Sequence, residues 1–269
     1  MNIVACVKYV PDASADRQFE DDNTVDRVAV DGLLSELDEY AVEQALQAKE
    51  KLEAAGGGDT TITVLTVGPE RAADAIRKAL QMGADKGVHV VDDAIAGSDA
   101  VGTSLVLAEA VKKIGAADGW DLVICGMAST DGSMGVLPAM LAERLEVPAV
   151  TLGSDVEVDG STVRIRRDGD VATETVEGSL PLVLSVTDQS GEARYPSFKG
   201  IMAAKKKPVE TWSLADLGVD AEMVGLAAAC TVVESTEARP PRTQGEIVTD
   251  EGGSGATALV EFLASKKFI

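Results

Sequence analysis

Apolar residues recur along this chain in two alternating rhythms. NIVACVKYV (2–10) is a nearly unbroken apolar run that predicts a buried strand. EYAVEQALQAKEKLEAAGGG (39–58) then carries its apolar residues at helical spacing and ends on glycines. The alternation repeats: TITVLTVG (61–68) predicts a strand and PERAADAIRKALQMGADKG (69–87) an amphipathic helix with Pro69 near its first turn. GVHVV (87–91) predicts a third strand, SLVLAEAVKKIGA (104–116) a helix and DLVICG (121–126) a fourth strand. MGVLPAMLAERLEVP (134–148) and PAVT (148–151) add a helix and a fifth strand. Strands flanked by crossover helices predict an α/β chain built on a doubly wound parallel sheet, Rossmann-like or adenine-nucleotide-hydrolase-like. Its ligand crevice is expected at the C-terminal ends of the strands.

From about Asp155 the period becomes two. DVEVDGSTVRIRR (155–167) and DVATETVEG (170–178) predict a hairpin around Asp159-Gly160, followed by the strand LPLVLSVT (180–187). These segments are expected to give the sheet antiparallel edge strands. After Gly191 the pattern fades into Lys, Pro, Gly and acids, including RPPRT (239–243) and DEGGSG (250–255), before a last short helix in ALVEFLASKKF (258–268). The expected organisation is an α/β domain over 1–191, followed over 192–269 by a loop and a C-terminal arm that packs on a partner.

Composition narrows the function. Apolar residues make up 45% of the 269, enough for a large core, and only 3% are aromatic, which suits parallel strands under alanine-rich helices. Forty-five acids oppose 24 bases, a formal charge of -21 that repels nucleic acid and anionic lipid. Scattered acids of this kind fit a halophilic surface, where charge is screened within about 3 Å at 1 M salt. Against that background ARYPSFKGIMAAKKKPVE (193–210) carries five cations and one acid. The three cysteines, Cys6, Cys125 and Cys230, predict buried, reduced thiols in a cytoplasmic protein. No apolar run approaches the roughly 20 residues of a membrane span, so neither export nor membrane insertion is expected.

The chemistry-bearing candidates are few. The single histidine, His89, lies in an apolar strand and is expected to be structural; no metal site and no nucleophile paired with a base is expected, so the chain reads as a binder and not an enzyme. A P-loop is missing. The turn CGMASTDGSMGVLP (125–138) offers Gly126, Gly132 and Gly135 for close backbone approach, with Ser129, Thr130 and Ser133 hydroxyls before a helix start. Either it cradles a phosphate or it is a structural turn capped by Asp131 or Ser133; its place after a central strand favours a nucleotide. TVGPE (66–70) is a weaker turn of the same placement. Lys8 and Tyr9 read as ligand contacts or as a solvated strand end, and Asp38 as a helix N-cap.

VACVKYVPD (4–12), DEYAVEQAL (38–46), ALQMGADKGVHV (79–90), the CGMASTDG turn and above all VTDQSGEARYPSFKGIMAAKKKP (186–208) resemble the electron transfer flavoprotein β subunit, FixA-type, over essentially the whole chain. The resemblance implies a heterodimer with an α subunit that holds most of the FAD, and an AMP buried in the β subunit. Electrons then pass from acyl-CoA and related flavin dehydrogenases of fatty acid oxidation to a quinone oxidoreductase. It carries AMP contacts onto Cys6, Ser35, Glu36, Leu37, Asp38, Val67, Cys125, Gly126, Thr130, Asp131, Gly132, Ser133 and Gly135. It also carries a dehydrogenase-docking loop onto Arg194, Tyr195, Pro196, Ser197, Phe198 and Lys199, with Phe198 as the apolar anchor. Ser35-Glu36-Leu37 stands where the family has Asn-Pro-aromatic, which removes an aromatic contact toward the flavin. DGSMGVLP (131–138) lacks the longer DGDTAQVGP-like run of electron-bifurcating members, which hold a second FAD in place of AMP, so the AMP-binding type is expected. The alternative class is a stand-alone nucleotide-binding module of the universal-stress kind.

Overall fold

The strand expected over 2–10 divides in two in the computed structural model, which describes residues 1–238, 240, 241, 245, 247–250 and 252–269. β1 (Asn2–Cys6) runs in the sheet until the Val7 amide bonds the Leu65 carbonyl. The chain then turns out, and β2 (Tyr9–Pro11) pairs antiparallel with β3 (Gly32–Leu34). The amide that turns the corner is that of Lys8, which donates to Asp38 Oδ2 at 2.8 Å. A helix, α1 (Glu36–Ala54), follows immediately.

The alternation continues as β4 (Thr61–Val67), α2 (Ala73–Met82), β5 (Lys86–Val90), α3 (Ala100–Ile114), β6 (Leu122–Gly126), α4 (Leu137–Leu145) and β7 (Ala149–Gly153). Next come β8 (Asp155–Asp159), β9 (Thr162–Asp168), β10 (Thr173–Ser179) and β11 (Leu182–Val186). With β12 (Val209–Trp212), the main sheet has seven parallel strands in the order β12-β5-β4-β1-β6-β11-β7. Strand order reverses on either side of β1, so the switch point lies between β1 and β6. Neighbouring residues of one strand feed opposite faces: Ile3 and Ala5 pack with Val42 of α1 and Ile76 of α2, whereas Val4 and Cys6 pack with Val106 of α3 and Leu141 of α4. The antiparallel strands form their own three-stranded sheet, β10-β9-β8, instead of extending the edge of the main one.

Two findings lie beyond Gly191. Ser197 caps a short helix, α5 (Phe198–Ala204), by accepting the Gly200 amide at 3.0 Å. Strand β12 (Val209–Trp212) then joins the main sheet beside β5, and α6 (Leu214–Leu217) follows. Compactness divides the chain at residues 234 and 235, so 192–234 packs with the first unit. The second unit, 235–269, contains α7 (Ser254–Ser265), none of whose residues is buried. Of the runs expected at 239–243 and 250–255, residues 239, 242, 243 and 251 lie outside the described residues.

Candidate functional site

The C-terminal ends of β1 and β6 open onto three segments brought together by the sheet: the start of α1, the turn 126–136, and the acidic loop 12–31. Ser35 is fully buried at the N-terminus of α1 and makes no side-chain cap. Its amide donates to the Lys8 carbonyl at 2.8 Å. Asp38 is not the N-cap expected from the sequence. It lies inside the first turn, buried, and bonds the backbone amides of Lys8 and Gly126, so it ties the ends of β1 and β6 together. Burial pushes its carboxyl up to about 7, against the lowering effect of the Lys8 amide and charge. Glu36 points to solvent and Leu37 is half-buried.

Asp131 is the electrostatic centre of the turn. Its side chain is 2% exposed, and its two oxygens meet Lys8 Nζ at 2.8 Å and an Arg27 guanidinium nitrogen at 2.7 Å. The charges of Lys8 and Arg27 and a Ser129 hydrogen bond outweigh desolvation and hold the carboxyl well below the usual carboxylate range. Arg27 also reaches the Tyr9 carbonyl, and Arg17 donates to the Thr130 carbonyl at 2.7 Å. Neither arginine is conspicuous in the sequence, yet they are the two cations of an otherwise acidic loop, residues 12–31, which is the signal that could have found them.

Within the turn, the Gly132 amide donates to Asp131 Oδ1 at 2.6 Å and the Ser133 amide to the Ser129 carbonyl at 3.0 Å. These two amides close the turn on itself. Ser133 and Gly135 both have positive φ, at 53° and 66°, the conformation that glycine adopts without strain. Helix α4 begins at Leu137 with Val136 in the N-cap position, so neither Asp131 nor Ser133 caps it. Residues 132–136 are exposed, including Met134 and Val136, and leave one side of the crevice open.

Two hydroxyls on the segments bordering this crevice, Ser35 Oγ and Thr130 Oγ1, are buried without a hydrogen-bond partner. Such groups are costly unless a ligand or water completes them. Together with the partly exposed heads of Lys8 and Arg27, they make a donor set suited to a phosphorylated, hydroxyl-bearing ligand such as AMP. Val67 ends β4 beside this opening, and His89 Nε2 lies 3.1 Å from the Gly68 carbonyl oxygen, so the histidine braces the neighbouring turn. Cys6 and Cys125 are buried on the α3–α4 side. A hydrogen bond with Cys6, together with burial, pushes the Cys125 thiol up. Cys230 departs from the expectation of a buried thiol and is exposed; its amide, with the amide and hydroxyl of Thr231, donates to Asp99 Oδ2 at the surface.

The expected docking loop lies away from the crevice. Tyr195 and Phe198 are 92% and 81% exposed, whereas Arg194 turns inward to Glu43 and Glu50 of α1. Lys207 caps the C-terminus of α2 through the carbonyls of Leu80, Gly83 and Ala84, while Lys205 and Lys206 stay exposed. Among the described residues no cluster of His, Cys, Asp or Glu could hold a metal ion, and no helix is long and apolar enough to cross a membrane.

Comparison with known proteins identifies the family. The electron transfer flavoprotein domain matches residues 22–217. The electron transfer flavoprotein subunit beta of Mycobacterium tuberculosis is 48% identical over 269 residues, covering 100% of this chain and 99% of that protein. That of Clostridium acetobutylicum is 33% identical with both chains fully covered. A protein named caffeyl-CoA reductase-Etf complex subunit CarD, from Acetobacterium woodii, is 32% identical over 99% of this chain and 97% of its own length. The chain therefore belongs to the electron transfer flavoprotein family, among its β subunits.

Proposed function

We propose that this chain is the AMP-binding, non-bifurcating type of β subunit, an electron carrier with no substrate turnover of its own. The observation that supports the reading is the pair of orphaned hydroxyls, Ser35 Oγ and Thr130 Oγ1, on the two segments that border the ends of β1 and β6, where Lys8 and Arg27 converge on Asp131. AMP would be held there by those four groups, with Asp131 keeping the two cations in place and the wall completed by Cys6, Val67, Gly126 and the turn through Gly135. AMP supplies a fixed anion and an adenine plug for the opening; Asp38 joins the ends of β1 and β6 around it.

The partner would be an α subunit that holds most of the FAD. The exposed Leu259, Val260 and Phe262 of α7, with Phe268 and Ile269 beyond it, support an arm that packs on another chain. The loop 194–199 would receive acyl-CoA or other flavin dehydrogenases, with Phe198 as its anchor, and a quinone oxidoreductase would take the electrons onward. One apolar anchor inside a basic rim suits a brief encounter. We place the carrier in the cytoplasm, where reduced thiols such as Cys6 and Cys125 are maintained. A stand-alone stress-type module is disfavoured by the chain beyond β12, which no nucleotide crevice requires.

Mass spectrometry of nucleotides released from the purified heterodimer tests this reading. FAD and AMP in equal amounts are expected. FAD alone at twice that yield would assign the chain to the bifurcating type, and a chain that never recruits a flavin-bearing partner would overturn the carrier role.

A further inference from the structure

Segment 194–199 is exposed, yet it is pinned at both ends. At its start, Glu43 of α1 accepts three hydrogen bonds from Arg194: from the backbone amide at 3.1 Å, from Nε at 2.7 Å and from a terminal guanidinium nitrogen at 3.0 Å. Glu50, two turns further along the same helix, takes the other side of the guanidinium at 2.6 Å. The Glu43 side chain is 6% exposed, a position that carboxylates occupy only when fully paired. Gln44 adds a bond from the same helix to the Ser190 carbonyl at 2.7 Å. At the far end, α5 lies against α2 so closely that a Cβ on Gly200 would fall 2.4 Å from the Gln81 carbonyl oxygen.

Between these pins, Tyr195 and Phe198 project with almost their whole side chains in solvent. Apolar side chains left exposed on a loop lower affinity if the loop must first be ordered, because the partner then bears that entropy. We propose that Glu43 and Glu50 are positioning residues for the docking loop, acting through Arg194 to present Tyr195 and Phe198 to the donor flavoenzyme. This inference rests on the docking function assigned to residues 194–199. It changes the role of Arg194: the guanidinium is consumed within the chain and sets the loop, while Lys199 supplies rim charge. Helix α1 is the splint, with its first turn at the nucleotide crevice and its later turns under the docking loop.

The test uses the flavin-loaded heterodimer with a flavin-dependent acyl-CoA dehydrogenase as electron donor. Glu43→Gln keeps the shape and removes the charge; Glu50→Gln does the same at an exposed position, where folding is not at risk. Each is expected to raise the KM for the carrier roughly five- to tenfold with kcat unchanged. Each should also speed tryptic cleavage after Arg194, while flavin content and visible spectrum stay those of the parent. Faster cleavage with an unchanged KM would overturn the proposal, as would an equal fall in kcat and flavin content. Phe198→Ala separates the two levels: if it raises KM and the glutamate variants do not, the positioning role fails alone. If Phe198→Ala leaves KM unchanged, the docking function fails and the inference with it.

Discussion

A Cβ placed on Gly126 would stand 2.6 Å from Asp38 Oδ1 and 2.7 Å from the Leu37 carbonyl oxygen. The end of β6 and the first turn of α1 are thus in backbone contact, and the width of the crevice is set by the missing side chain. Gly126→Ala should push the helix start away from the strand and destabilise the chain by about 1–3 kcal/mol. Denaturant midpoints should show this, and the AMP retained on purification should fall. Gly132→Ala meets nothing nearer than the Ser129 hydroxyl at 3.6 Å and the Lys8 ammonium at 3.9 Å, both ordinary contacts, so its stability should stay within about 0.5 kcal/mol of the parent.

Asp131→Asn keeps the shape of the turn and removes the counter-charge of Lys8 and Arg27. Because both cations are partly exposed they can regain water, so the cost should be about 1–3 kcal/mol, below that of breaking a fully buried pair. Thermal unfolding should report it. Nucleotide content should fall as well, since the freed cations lose their fixed positions.

The Asp38 carboxyl gives a pH signature. Its pKa is raised to about 7 in the folded chain from an ordinary value of 3.8. Below that ordinary value the group is protonated in both states and contributes nothing. Between about 4 and 7 the unfolded chain ionises it while the folded chain does not, so stability falls as pH rises, and the loss is complete above 7. Asp131 acts in the opposite sense, but only at lower pH, where its depressed carboxyl begins to protonate. Glu43, where Arg194 outweighs desolvation, and Glu50, lowered by the same guanidinium, also act in the opposite sense near pH 4 to 5. The signature therefore lies in the difference: the melting temperature of AMP-free Asp38→Asn should gain on that of the parent from pH 4 to 7. Parallel curves would show that the carboxyl is ionised throughout.

Phe198→Ala removes an anchor that touches almost nothing in this chain. Folding, heterodimer assembly and flavin content should be unchanged, and electron transfer from the donor dehydrogenase should weaken by about 1–4 kcal/mol in kcat/KM, within the range of interface anchors. Stopped-flow reduction of the carrier flavin would measure it. Loss of flavin instead would make the loop structural.

The alternation of strands and helices was legible because parallel strands buried on both faces give apolar runs, as in TITVLTV and LVICG. Strand β12 was not: VETW is exposed along most of its length, follows Pro208, and owes its place to pairing with β5, a contact across more than a hundred residues. The same limit hid the role of Asp38. Its spacing looks like an N-cap, but its partners are the amides of Lys8 and Gly126, which only the fold brings near. The turn 125–135 was readable as a site from its glycines and hydroxyls. That its acid would be neutralised by Arg27 was not, since nothing local links a loop arginine to a residue 104 positions away. Arg194 looked like a surface cation for the same reason, its carboxylate partners being far upstream on α1.

Strand β12 also covers an edge of the main sheet. Without it, the outer row of amide and carbonyl groups on KGVHV (86–90) would be open, and an unpaired apolar edge recruits strands from other molecules. β12 occupies that row for four residues, begins after a proline whose carbonyl accepts the Gly87 amide but which has no N–H to offer, and leaves Glu210 exposed. A chain cut before residue 209 would expose a template for self-association. The stretch that follows the docking loop is therefore also a guard against fibrils, and a shortened version has to retain it through Trp212.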